Sequence, residues 1–140
     1  MKNKKRFFEY GFKTGFLKSG KLHSITDVKG VTVGHVTKIK GKNIRTGVTI
    51  IDPGIKNLYK SKIPAAFYVG NGFGKTVGSL QIEELGTLEA PIALTNTLAV
   101  GSVMSGMINI VLSKEKIKKI ETINVFVGEA NDGILNDIQK

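Results

Sequence analysis

Residues 31–54 read VTVGHVTKIKGKNIRTGVTIIDPG, and the way this stretch alternates and then turns decides the fold class. Val31, Val33 and the pair His35 and Val36 suggest a strand that runs into a turn at Lys40-Gly41-Lys42-Asn43. Thr46 to Ile51 would form the returning strand. Asp52-Pro53-Gly54 stops it, because proline has no N–H to give to a ladder and Asp and Gly suit a turn. An antiparallel hairpin is expected.

Beyond the hairpin, Ala65 to Val69 is a third apolar run and is expected to be a strand that exits into the glycine cluster Gly70-Asn71-Gly72-Phe73-Gly74. That cluster is expected either to hold glycines at positive φ or to let a ligand approach the backbone. Val77 to Leu85 fits a strand or a short helix, and Pro91 to Leu94 a short strand. Thr95, Asn96 and Thr97 then offer capping side chains to a helix whose apolar positions are Leu98, Val103, Met104, Met107, Ile108, Val111 and Leu112. The run Lys114 to Lys119 would complement that helix's C-terminus. Ile123 to Val127 reads as a buried strand, and Ile134, Leu135 and Ile138 begin a helical spacing. In the other direction, residues 1–22 read as a basic arm with Phe8, Phe12 and Phe16 on one face if helical, a tendency that Gly11 and Gly15 weaken.

Composition narrows the function classes. The 140 residues, 41% of them apolar, suit one folded domain, and 17 glycines imply many turns or close approaches. With no cysteine, disulfide scaffolds, zinc ribbons and thiol nucleophiles are all excluded, and a cytoplasmic location is expected. No apolar run reaches the roughly 20 residues of a membrane span. The net charge of +10 raises the question of nucleic acid. Residues 1–62 carry 15 Lys and Arg against three acidic residues, but only Arg6 and Arg45 are arginines. Scattered lysines without arginine forks fit a solvated surface better than phosphate recognition.

Local motifs that mimic nucleotide sites fail on spacing. Gly74-Lys75-Thr76 has the ending of a phosphate-binding loop, yet the first glycine should stand at position 69, which is Val69. A dinucleotide fingerprint fails because Lys75 occupies the third glycine's place. Glu129, Asn131, Asp132, Asn136 and Asp137 have the side chains of a metal site, but Gly133 is out of register for a calcium loop. His23 and His35 have no carboxylate at a spacing that would orient either as a base, and Ser79, Ser102 and Ser105 lack a nucleophile elbow.

Four segments taken in order resemble one family. They are Ser24 to Thr37 (SITDVKGVTVGHVT), Arg45 to Pro53 (RTGVTIIDP), the stretch from Asn71 through Glu83-Glu84-Leu85-Gly86 to Thr95-Asn96-Thr97, and Asn124 to Ile138. Their order and spacing are similar to those of the P1-family aminopeptidases, the self-cleaving β-peptidyl and D-aminopeptidase group. The resemblance spans residues 23–140 and leaves out the basic arm, residues 1–22.

The resemblance implies an α+β fold, an incomplete four-layer αββα sandwich resembling N-terminal-nucleophile hydrolases. Such enzymes cut their own backbone before a serine, whose hydroxyl then attacks peptides once a neighbouring base takes its proton. The family's two serines and its glutamate lie downstream of the segment similar to Asn124–Ile138. No catalytic residue, metal or cofactor is therefore carried over, and the chain is expected to be a truncated N-terminal portion, inactive alone. Asn71, Gly72 and Gly74 match the family's glycine loop, and Asn131 and Asp132 are expected to hydrogen-bond the substrate. Implied partners are a peptide substrate, once a C-terminal half completes the fold, and further copies of the same chain, with neither membrane nor nucleic acid expected. The alternatives are a basic nucleic-acid-binding module and an assembly partner for a separately encoded C-terminal half.

Overall fold

The computed structural model describes residues 4–114 and 120–139. Strands β1 (Thr32–Lys40) and β2 (Ile44–Asp52) form the expected hairpin, with nine residues paired one to one from Thr32 opposite Asp52 to Lys40 opposite Ile44. Gly47 allows the two strands to lie this close, since a Cβ there would stand 2.3 Å from the Val36 carbonyl oxygen. After β2 come β3 (Ile63–Pro64), helix α1 (Ser79–Leu85) and β4 (Thr87–Leu88), with β3 and β4 paired as a small separate sheet. Strand β5 (Ile92–Asn96) returns to the main sheet antiparallel to β2. Helix α2 (Val100–Lys114) leads to β6 (Phe126–Ala130), which lies parallel to β5. The main sheet has the order β1-β2-β5-β6.

Side chains alternate across a sheet, so register assigns its faces. The row Ile50, Ala93 and Val127 turns toward α2. There it meets Val100, Met107 and Val111, with Val103, Met104 and Ile108 packed beside them. This helix spacing, three or four residues between apolar positions, was legible in the sequence. The opposite face carries Ile51, Ile92 and Phe126 in one row and His35, Thr49, Leu94 and Gly128 in the next. On this face Phe67 lies against Phe126, with ring centroids 6.1 Å apart, and Leu94 is exposed.

Several sequence expectations are corrected. Residues 65–69 form no strand: pairing stops at Pro64, and only the Ala65 N–H continues inward, to the Gly86 carbonyl. None of Gly70, Gly72 and Gly74 has positive φ; that conformation falls instead at Gly78, φ 80°, where α1 begins. A Cβ at Gly78 would stand 2.1 Å from the Val125 carbonyl oxygen. Val77 to Leu85 resolves as a one-residue bridge from Val77 to Val127 followed by α1.

Residues 134–138 turn without becoming a helix. The Asp132 carbonyl accepts from Leu135 and Asn136, but the Asp137 N–H donates to the Asn43 carbonyl at 2.7 Å and Asn136 Oδ1 accepts from the Arg45 N–H. The hairpin turn thus takes the groups that a helix would have used. In the arm, a single short turn of 3₁₀ helix spans Phe7–Tyr10, and Phe12 and Phe16 are exposed. Phe8 stacks on His23 with centroids 3.9 Å apart, so the aromatic stripe is a local clasp. Of the three capping candidates before α2, Asn96 receives the Ala99 N–H, whereas the Thr95 hydroxyl donates to the Gly47 carbonyl. The lysine run lies outside the described residues beyond Lys114.

Candidate active-site pocket

The parallel pair β5 and β6 ends at Asn96 and Ala130, and two cavities open beside those ends. Residues leaving parallel strands diverge there, which makes the carboxyl edge a common place for ligands. The last residues of β6 divide the two cavities. Glu129 lines one of about 430 Å³, with Asn71, Gly72, Gly74, Thr76, Ser79 and Glu83. Ala130 and Asp132 line the other, of about 500 Å³, with His35, Arg45, Thr49 and Asn96.

The expected site residues are therefore divided. Asn71, Gly72 and Gly74 share the first cavity, and Asp132 belongs to the second. Asn131 lines neither of these two; its Oδ1 accepts the Gly133 N–H at 2.9 Å and closes a turn. Asn71 likewise closes a turn, by accepting the Phe73 N–H. Sequence reasoning missed Glu129 as a pocket group, having placed it in an acidic cluster. Its position at the end of a strand two residues before Asn131 was the available signal.

The Glu129 side chain is 13% exposed. Thr97 Oγ1 donates to its Oε2 at 2.9 Å, and the Lys75 ammonium lies 3.9 Å away while donating to the Phe73 carbonyl at 3.2 Å. A carboxylate can accept about four hydrogen bonds, so a ligand's N–H groups can join Thr97 there. The buried carboxylate Glu89 has a different setting. Burial raises its pKa, but the Asn124 N–H, the Lys62 ammonium and the Gln81 amide outweigh that and hold it below the usual range. Glu89 ties three parts of the chain together and belongs to the framework.

In the second cavity, His35 Nδ1 and Thr49 Oγ1 are 2.9 Å apart. They are register partners on adjacent strands, so this is a cross-strand pair of the kind that stabilises sheets. No three His, Cys, Asp or Glu side chains converge on a metal position among the described residues.

The sequence pattern of peptidase family S58 matches residues 23–140. The chain is 38% identical over 128 residues to the β-peptidyl aminopeptidase BapA of Sphingosinicella xenopeptidilytica, covering 85% of this chain and 32% of that protein. Among solved structures, a Burkholderia sp. β-aminopeptidase superposes with a TM-score of 0.86 at 36% identity, over 96% of this chain and 39% of the other. The L-aminopeptidase D-Ala-esterase/amidase of Ochrobactrum anthropi, described as a prototype serine aminopeptidase with a variant of the Ntn hydrolase fold, gives 0.76 at 27% identity, covering 90% of this chain and 38% of that one. The chain spans about a third of the length of the curated relatives it matches.

Proposed function

The chain belongs to peptidase family S58, and we propose that it supplies the amino-terminal wall of a serine aminopeptidase that releases N-terminal residues from short peptides. In this reading residues 23–140 are one portion of a larger peptidase domain, and residues 1–22 are a basic arm leading into it. The nucleophilic serine and its proton acceptor come from outside these 140 residues, which do not turn over peptide alone. The finished enzyme works in the cytoplasm as an assembly of like chains on peptide, not nucleic acid. No described helix is long and apolar enough to cross a membrane.

The observation that carries the reading is Glu129. An aminopeptidase must distinguish a free N-terminal ammonium from an internal amide, which a carboxylate fixed in a partly dry pocket can do through a charge-assisted hydrogen bond. Glu129 meets this requirement, held by Thr97 at the strand end beside the glycine loop. Gly72 and Gly74 leave room for a peptide backbone near that loop, and Asn71 fixes its turn. Asn131 and Asp132 are proposed to border the substrate from the far side of β6.

The test joins this chain to the part of the Burkholderia β-aminopeptidase that it does not cover and compares it with its Glu129→Gln variant. Loss of an ammonium–carboxylate contact is expected to lower kcat/KM by about ten-fold to a hundred-fold, a charge-assisted hydrogen bond being worth about 1.5–3 kcal/mol. Unchanged discrimination between free and N-acetylated peptides in the variant would remove Glu129 from this role.

A further inference from the structure

The Lys75 ammonium already faces Glu129 at 3.9 Å and donates to a main-chain carbonyl, the two kinds of partner that a substrate's own ammonium needs. Lys75 is half-exposed and stands in sequence between Gly74 and Thr76, which line the cavity, whereas Glu129 lines it and is nearly covered. A ligand whose ammonium binds Glu129 therefore arrives next to a second cation, and the two repel across a few ångströms. A ligand that also carries a negative group close to its ammonium removes this conflict: the ammonium takes Glu129 and the negative group takes Lys75.

We propose that Lys75 is a specificity-determining residue and that the pocket selects peptides whose N-terminal residue bears a carboxylate, aspartyl before all. In an aspartyl residue the side-chain carboxylate stands two carbons from the carbon that carries the ammonium, so one residue can span the Lys75–Glu129 pair. A neutral N-terminal residue leaves Lys75 competing for Glu129, and a lysyl residue adds a third cation. The proposal rests on the assignment of Glu129 as the ammonium acceptor.

The experiment titrates the 140-residue chain with aspartic acid α-amide, alaninamide and lysinamide at matched ionic strength, following amide resonances by NMR. Aspartic acid α-amide is expected to bind about five-fold more tightly than alaninamide, the range that a partly exposed ion pair supports, and lysinamide most weakly. In Lys75→Met, whose fold the dispersion of the same spectra verifies, the aspartyl preference disappears and alaninamide binds at least as well as before. A preference that survives Lys75→Met, an unmodified chain with no aspartyl preference, or no binding of any probe would each overturn the proposal. Glu129→Gln separates it from its premise. If that variant weakens all three probes while Lys75→Met leaves their order unchanged, the ammonium site stands and the role of Lys75 fails; if it weakens none, the premise itself fails.

Discussion

Glu89 shows how a single residue can unite distant parts of a chain. It is 3% exposed, and its carboxylate gathers Lys62, Gln81 and the Asn124 N–H, so removing its charge strands three donors. Glu89→Gln is expected to lower stability at neutral pH by about 1–3 kcal/mol, read from urea unfolding. The pH dependence follows from its depressed pKa, against an ordinary value of 4.5. Above 4.5 the stabilisation is complete; below it the unfolded chain binds a proton that the folded chain does not, and the stabilisation is lost as pH falls to the lower folded value. The unmodified chain should therefore lose more stability than Glu89→Gln as the pH falls below the ordinary value of 4.5. None of this was legible in the sequence. The partners stand 27, 8 and 35 residues away, distances at which no local pattern operates.

At the scale of elements, legibility followed the range of the interactions. The hairpin and α2 could be read because their signals are local: alternation around a Lys-Gly-Lys-Asn turn, and apolar positions three or four apart. Met107 is 2% exposed at the centre of the α2 face. Met107→Ala is expected to cost about 2–5 kcal/mol, measured by chemical unfolding. Residues 65–69 and 134–138 defeated the same rules. An apolar run does not make a strand without a neighbouring edge, and the last segment's backbone groups bind the hairpin turn some 90 residues earlier. The glycine cluster misled for a related reason, since the positive φ lies at Gly78, whose constraint is the approach of Val125 from β6's side. Gly78→Ala combines that clash with a strained φ and should lower the thermal midpoint by several degrees; Gly74→Ala, with nothing closer than 3.8 Å, should change it little.

For the whole molecule, the sheet has one face closed by α2 and one face, bearing Leu94, Ile51 and Ile92, on which Leu94 is exposed. Sheets that pack face to face bury such surfaces against each other, so this face is where the proposed remainder of the peptidase would lie. Family membership was readable from four ordered segments, because together they preserve the hairpin, the glycine loop and the end of β6. The pocket was only half readable: its glycine loop lies in one cavity and Asp132 in another, while Glu129 emerged only once β6 was aligned beside β5.

The most direct measurement is release of an N-terminal amino acid from a short peptide by the purified 140-residue chain, alone and then joined to the uncovered part of a family relative. The account predicts no turnover by the chain alone and turnover by the joined protein. Sustained turnover by the isolated chain, at a rate unchanged across independent preparations, would contradict it.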